Sequence, residues 1–429
     1  MSAGLAAKTS ALLSLLFLVV YGGCNWITSL RGDVGTWYFE WERHIPFVPL
    51  MILPYMSIDA FFLTAPFLCR DEAELRTLAR RSSFAIVAAG VCFLLFPLRF
   101  AFDRPEASGW LGAIFDAFRG LDQPFNLFPS LHITLRTILA DLYVRRTAGV
   151  LRGATHVWFS LIGFSTVLTY QHHIVDVGAG FVLAAVCFYG FRESSPRLPV
   201  VANPRTGSYY ALGSATALVL SMVTWPPWGG LFLWPAASLG IVAAAYFGLG
   251  PGIFRKTDGR LPLSARLVLG PYLLGQYLSL LYYRRQCRPW DQVTPGVLIG
   301  CRVTDREAAE AVRQGVTAVL DLTAEFSEAE PFLRVAYRNV PILDLTAPTL
   351  PQLREAAGFI REHAADGVVY VHCKIGYSRS AAAVGAYLMT TDRAASAGDV
   401  EVMLRAVRPS IVVRPEAAAA LRVFQETSS

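Results

Sequence analysis

The chain has 429 residues, 54% hydrophobic and only 16% charged, with a formal net charge of +6. A mean hydropathy of +0.42 is too apolar for an ordinary soluble globular protein. The basic excess lies between apolar blocks and forms no clustered, aromatic-interleaved face, which argues against nucleic-acid binding and suits anchoring at anionic headgroups. Seven cysteines without a CxxC pair give neither a disulfide framework nor a zinc site.

The apolar blocks run to about Tyr283, and ordinary soluble sequence follows. Three segments are expected: 1–195, a membrane core; 196–285, additional membrane helices; and 286–429, a soluble-type domain. A spanning helix needs about 20 mostly apolar residues. In chain order the candidates are Ser10–Ser29, Pro46–Leu68, Ser83–Ala101, Phe125–Val144, His156–Tyr170, His173–Phe191, Tyr209–Trp225 and Gly230–Gly248. The first has no small-residue cleavage site and reads as a retained span. Trp110–Phe118 reads as an interfacial amphipathic helix. Arg70, Arg76, Arg80 and Arg81 follow the second span, Arg145, Arg146 and Arg152 the fourth, and Arg192, Arg197 and Arg205 the sixth. With alternating spans all fall on one side, which the positive-inside rule makes cytoplasmic. Leu263–Tyr283 is long enough to span, but arginines flank both of its ends. A surface-lying or re-entrant helix is the favoured reading, which keeps the C-terminal domain cytoplasmic; a true span would put it outside. The composition suits a multi-pass protein of a bacterial inner membrane.

Ionisable residues near spans are functional candidates, because burying them in lipid is costly. NLFPSLHITLR contains Ser130 and His132, and STVLTYQHHIVDVGAG contains Ser165, His172, His173 and Asp176. Once a helix has begun, His172 and Asp176 share a face. A carboxylate on one ring nitrogen fixes the tautomer and frees the other to attack phosphorus, while a second histidine protonates the leaving oxygen. The bland alternative is a set of interfacial histidines. The PSLH stretch and the Ser-x6-His-x3-Asp spacing resemble two motifs of the type 2 phosphatidic acid phosphatase superfamily. The resemblance implies a six-span core, with His172 as nucleophile, Asp176 orienting it and His132 as general acid. It also implies phosphate or substrate contacts from Ser130, Ser165 and Arg104, the last in an Arg-Pro remnant of the first motif whose lysine is missing. Thr166 stands where the lipid phosphatases carry an arginine. The QHH-x2-D run is more similar to the inositol phosphorylceramide synthase branch, which implies headgroup transfer ahead of hydrolysis.

In VYVHCKIGYSRSAAAV (369–384) a β-branched run precedes Cys373 and an alanine-rich helical stretch follows Ser380. A strand–loop–helix aims backbone N–H groups at one point, an anion site that also lowers a thiol pKa. Arg379 can grip two phosphate oxygens, and Gly376 permits the turn. The His-Cys-x5-Arg-Ser run is similar to the signature of the cysteine-dependent dual-specificity phosphatases. It implies a cysteinyl-phosphate on Cys373, phosphate contacts from Gly376 and Ser378, and a hydroxyl from Ser380 that helps the thiolate leave. Asp344 and Asp321 compete as general acid; Asp344, in the loop 29 residues before the cysteine, is favoured. Lys374 adds a cation beside the nucleophile, and the Cys-Lys-x-Gly start resembles the mitochondrial-type phosphatidylglycerophosphate phosphatases. Strands are expected near Gly296–Val303, Val316–Leu322 and Val368–His372. Helices are expected near Asp305–Gln314, Leu350–His363, Ser380–Met389, Asp399–Val407 and Glu416–Phe424.

The expected fold is therefore an all-α polytopic membrane bundle, a six-span phosphatidic acid phosphatase-like core plus extra spans, followed by an α/β dual-specificity phosphatase domain. The expected function is a bifunctional enzyme acting on phospholipid substrates, with no metal, no dissociable cofactor and no nucleic-acid partner. The alternatives are a membrane-anchored protein phosphatase, and a transporter or scaffold with relic motifs.

Overall fold

The computed structural model describes residues 2–121, 123–193, 198–224 and 229–427; Arg197 and Trp225 lie outside the described residues. The chain divides into two compact units, Met1–Ser194 and Ser195–Ser429. It begins as a helical region with several apolar helices and continues as an α/β sheet domain.

The first unit contains α1 (Ala3–Ser29), α2 (Ile52–Leu68), α3 (Glu72–Leu95), α4 (Gly109–Leu121), α5 (Leu131–Arg146), α6 (Gly149–Leu168) and α7 (Ile174–Gly190). The apolar run expected at Ser83–Ala101 belongs to a helix that starts earlier. Asp71 caps α3 by accepting from the Glu74 N–H, and the helix stops at Leu95, ahead of Pro97. Ser130 caps α5 through the Ile133 N–H, and His173 with Asp176 forms a capping box at the start of α7. A core of Cys24, Ile58, Ile86, Leu135, Leu139 and Phe159 joins the helices. Leu12, Leu15, Leu18, Val91 and Leu95 point outward and are more than half exposed. Among the described residues, four helices are long and apolar enough to cross a membrane by length and composition: Ala3–Ser29, Pro49–Leu68, Glu72–Leu95 and Gly229–Leu249. The arginines after α5 are not free charges: Arg145 lies 3.2 Å from Glu74, and Arg146 pairs with the same carboxylate. A Cβ on Gly180 of α7 would lie 2.6 Å from the Ser130 carbonyl oxygen, so glycine lets α7 meet the start of α5, where PSLH stands.

The second unit opens with α8 (Pro204–Val223) packed on α9 (Gly229–Ala244), then α10 (Leu263–Val268) and α11 (Gly270–Arg284). The stretch read as one helix, Leu263–Tyr283, is two, divided at Leu269–Gly270 with Pro271 in the first turn of the second. A five-stranded sheet follows in the order β1-β2-β5-β3-β4: β1 (Trp290–Thr294), β2 (Val297–Cys301), β3 (Val316–Thr323), β4 (Ala336–Ile342) and β5 (Val368–Cys373). All neighbours are parallel except β1 with β2. Parallel strands need covering on both faces. α13 (Leu350–His363), α14 (Ser378–Thr390), α15 (Ala397–Val407) and α16 (Pro415–Glu426) cover one face around Leu320, Val371, Val384, Leu404 and Leu421. α12 (Asp305–Arg313) covers the other around Val319, Phe332 and Tyr370. The expected strands and helices of this domain are present; β1 and β4, short and broken by polar residues, carry no clear periodic signal.

Arg408 locks the edge of this sheet. It is 1% exposed and donates to Asp291 Oδ2 at 2.6 Å, to the Arg288 carbonyl at 3.0 Å and to the Ile375 carbonyl at 3.2 Å. Removing one member of a buried pair strands the other charge, at a cost of about 3–5 kcal/mol. Asp291→Ala should therefore lower the thermal unfolding midpoint of the detergent-solubilised chain sharply. The double change Asp291→Leu with Arg408→Met should recover most of the loss.

Candidate active sites

The loop Cys373–Arg379 leaves the centre of the sheet at the end of β5 and enters α14. Gly376 has φ +71°, and a Cβ there would lie 2.5 Å from the Gly300 carbonyl oxygen, so only glycine allows the loop to turn against β2. Cys373 is 2% exposed. Burial pushes its thiol up. The Arg379 guanidinium, the neighbouring Ser380 hydroxyl and the Ser380 and Tyr377 N–H groups outweigh that, so the thiol sits below its ordinary value. Ser378 faces away from this centre and accepts from the Arg414 N–H at 3.4 Å.

Arg379 is buried and held in a fork. Its Nη2 donates to Glu325 Oε1 at 2.8 Å and its Nη1 to Glu325 Oε2 at 3.1 Å and to the Ile342 carbonyl at 2.8 Å. Nη2 also reaches Asp344 Oδ1 at 3.2 Å. Asp344 is thus brought to the loop from the end of β4. Burial pushes its carboxyl up, but Arg379 and Lys374 outweigh it and hold the group below the usual carboxylate range. Protonation of Asp344 requires this ion pair to loosen. A phosphate dianion in the loop would take up the Arg379 charge and add negative charge beside Asp344, and both changes raise the carboxyl.

Asp321, the competing aspartate, faces elsewhere. It is fully buried on β3, paired with Lys256, and it accepts from the Tyr337 hydroxyl at 2.8 Å and the Thr323 hydroxyl at 2.7 Å. His372 lies 2.8 Å from Glu328 and 3.8 Å from Asp321. Asp321, Glu328 and His372 could offer three ligand atoms to a metal ion. The Lys256 ammonium already neutralises Asp321, which makes the group a buried ion-pair network.

The histidine cluster of the first unit forms where α5, α6 and α7 meet. Ser130 N–H donates to the Asp176 carbonyl at 3.0 Å, tying the start of α5 to α7. His172 is buried, with Nδ1 3.8 Å from Asp176 Oδ2, longer than a hydrogen bond. That carboxylate oxygen instead accepts the His173 N–H at 2.8 Å. Catalytic contacts of this kind commonly tighten only with substrate in place. His132 stacks on Tyr55 at 4.2 Å, and its Nε2 has no hydrogen-bond partner among the described residues. Arg104 donates to the Tyr170 carbonyl at 2.9 Å, beside the same turn. Ser165 is buried and its hydroxyl is turned to the Ile162 carbonyl at 2.7 Å. His173 has both ring nitrogens occupied: Nδ1 lies 2.9 Å from Glu42 Oε2, and Nε2 accepts the Ala101 N–H at 3.1 Å. Of the two adjacent histidines, His172 keeps the freer ring.

Residues 299–427 match the family described as dual specificity phosphatase, catalytic domain, and residues 33–190 match the PAP2 superfamily. The chain joins a PAP2 superfamily domain to a dual-specificity phosphatase domain. The phosphatase part is similar to phosphatidylglycerophosphate phosphatase PTPMT2 of Arabidopsis thaliana, 29% identical over 36% of this chain and 72% of the relative. It is also similar to protein phosphatase Slingshot homolog 3 of Homo sapiens, 37% identical over 23% of this chain but only 15% of that longer protein. The crystal structure of PTPMT1 in complex with PI(5)P shares 24% identity, over 33% of this chain and 97% of that one, with a TM-score of 0.31.

Four polar residues at these sites are not singled out by the sequence: Glu325, Glu42, Lys256 and Gln276, the last of which accepts from the Lys374 ammonium at 2.8 Å. For Glu325 a signal existed. An acidic residue just past the apolar strand β3 stands where a buried arginine could use it. Glu42 and Gln276 lie in sequence that reads as ordinary polar punctuation.

The dual-specificity phosphatase domain predicts a reactivity. At pH 7 iodoacetate should modify Cys373 ahead of the thiols buried in the helical unit. Its rate should rise through a midpoint below the roughly 8.5 of a free thiol, and inorganic phosphate should protect it. Arg379→Leu removes the first of the groups that favour the thiolate, so the midpoint should move up. Mass spectrometry of alkylated peptides across a pH series reads both.

Proposed function

We propose that the chain is a bifunctional membrane enzyme of phospholipid metabolism. The observation that carries this reading is the convergence of Cys373, Arg379 and Asp344 on one loop, with the thiol held low, in a chain that also carries a buried histidine–aspartate pair. The apolar helices are read as spans, six of them between Ser10 and Phe191, and the arginine-rich loops as cytoplasmic. A bacterial inner membrane is the proposed location, with the phosphatase domain cytoplasmic.

At the cysteine site the Cys373 thiolate attacks phosphorus of a phosphomonoester. The P–O bond to the leaving alcohol breaks, and Asp344 delivers the proton to that oxygen. Arg379 and the loop N–H groups hold the equatorial oxygens as charge redistributes. Water then attacks the cysteinyl-phosphate and gives its proton to Asp344. Phosphate departs, and the Ser380 hydroxyl donates to the departing thiolate. At the histidine site the His172 ring attacks a phosphorylated headgroup, Asp176 stabilises the imidazolium, and His132 protonates the leaving oxygen. An acceptor hydroxyl or water then attacks phosphorus of the phosphohistidine, gives its proton to His132 and breaks the N–P bond to free His172; the hydroxyl makes the reaction headgroup transfer, and water makes it hydrolysis. A transfer that yields a phosphorylated lipid at the outward-facing histidine residues, passage of that lipid across the bilayer and its dephosphorylation at the cytoplasmic cysteine would give the fusion a purpose. The similarity to a phosphatidylglycerophosphate phosphatase supports a glycerophosphate-type lipid at Cys373. The similarity to Slingshot homolog 3 favours a second reading, a membrane-anchored protein phosphatase.

The test uses purified full-length protein in detergent with a panel of labelled phospholipids. Cys373→Ser should accumulate a phosphorylated lipid that the wild type clears, and His172→Ala should abolish its formation. Asp344→Asn should lower phosphomonoester turnover about 10²–10⁴-fold. If the two variants lose unrelated activities, the sequential pathway fails. If phosphopeptides turn over far faster than any lipid, the protein-phosphatase reading replaces it.

A further inference from the structure

The phosphatase site is not built from the sheet domain alone. The Tyr246 hydroxyl donates to the Asp344 carbonyl at 2.8 Å, and Asn203 Nδ2 to the Leu345 carbonyl at 2.7 Å. Both come from the helical stretch before β1. Leu345, with φ +60°, is a strained position for a side chain, so the acid loop is held in shape from that side.

The most consequential of these contacts is made by Lys374. Its side chain is 7% exposed, and a buried ammonium must find acceptors. It donates to Gln276 Oε1 at 2.8 Å and reaches Asp344 Oδ2 at 3.5 Å. Gln276 lies on the apolar helix α11 and is itself buried. Its amide has one acceptor end and one donor end. The donor end approaches the Tyr210 hydroxyl of α8 at 3.5 Å, which leaves the acceptor end for Lys374. Tyr272, one turn earlier on α11, packs edge-on against Tyr210 at 5.5 Å and fixes the helix.

We propose that Gln276 is a positioning residue of the Cys373 site: by sharing the Lys374 ammonium it sets how strongly that cation bears on Asp344, and with it the supply of the proton to the leaving oxygen. The inference rests on Asp344 being the acid of that site. The charged groups facing Asp344 are Arg379 and Lys374, with Glu325 behind the arginine and the Cys373 thiolate beyond. From the helices Tyr210, Tyr246 and Tyr272 also act on it, and phenols stay neutral below about pH 9. Of the two cations facing Asp344 among the described residues, Lys374 is therefore the one whose second partner lies on α11. Take Gln276 Oε1 away and the ammonium turns fully to Asp344. Put a carboxylate in its place and the ammonium is drawn off.

These two changes act in opposite directions, which a merely structural role would not produce. An acid works while protonated, so activity falls as pH rises through its pKa. Gln276→Leu should move the basic limb of the kcat–pH profile to lower pH, and Gln276→Glu should move it to higher pH. The assay uses the full chain in detergent with two soluble substrates. Glycerol 3-phosphate has an alkoxide leaving group that needs the proton, and p-nitrophenyl phosphate has one that scarcely does. At pH 7 the Leu variant should lose on the order of tenfold on the alkyl substrate, with a smaller loss on the aryl one. Limbs that shift the same way in both variants, or do not shift, overturn the proposal, as do equal losses on the two substrates. If the Leu variant fails to fold, the near-isosteric Glu variant still decides by whether its limb rises. Asp344→Asn is run alongside: unchanged alkyl turnover there overturns the acid assignment itself, whereas a large loss there with unmoved Gln276 variants overturns only the role of Gln276.

Discussion

A single buried guanidinium organises the cysteine site. The Arg379 side chain is 3% exposed, and a bare cation at that depth would cost several kcal/mol. Glu325 offsets this with both carboxylate oxygens, and the Leu322 and Ile342 carbonyls complete the set. These partners sit at the ends of β3 and β4. One cation therefore pins two strand ends to the loop after β5. The Asp344 contact, at 3.2 Å and from a partly exposed side chain, is the looser one. An incoming phosphate would compete there first, leaving the Glu325 fork intact. The same guanidinium draws both the Cys373 thiol and the Asp344 carboxyl below their ordinary ranges.

How much of this could be read from the chain depends on sequence separation. The anion loop was legible because its parts are contiguous: strand, Cys373, Gly376, Arg379 and helix follow within a dozen residues. Asp344 was legible because its loop lies at a characteristic distance before the cysteine. Glu325, Gln276 and Lys256 were not, since each meets its partner across 54, 98 and 65 residues, respectively. A polar residue that serves a distant charge carries no periodicity of its own. The break at Leu269–Gly270 was missed for a different reason: hydropathy sums over a window and does not register a single glycine–proline step.

The histidine cluster makes the same point in a smaller space. In the sequence, His172 and His173 are adjacent and equally plausible. The fold separates them by giving His173 a carboxylate on one nitrogen and a backbone donor on the other. Glu42, 131 residues away, also accepts the Ile174 N–H at 3.2 Å, so it stabilises the first turn of α7 while it holds the ring. That turn presents Asp176 to His172. A carboxylate remote in sequence thus organises a site whose recognisable residues all lie elsewhere.

On the proposed chemistry the two sites face one problem and answer it in contrary ways. Both must put a nucleophile against a phosphate that already carries negative charge. At Cys373 the nucleophile is itself anionic, and the repulsion between two anions is met by a buried arginine, a nest of N–H groups and a helix start. The supporting carboxylate, Glu325, never faces the substrate. At His172 the proposed nucleophile is an imidazole, which gains positive charge as it bonds to phosphorus, so its charge develops in the favourable sense. On the proposed headgroup transfer, that difference fits what stands at Thr166. A diester carries less charge than a monoester dianion, and a histidine site acting on one has less need of the arginine that the resemblance implies there. On that proposal the threonine at one site and the deeply buried arginine at the other are two consequences of the charge on the phosphate each would hold.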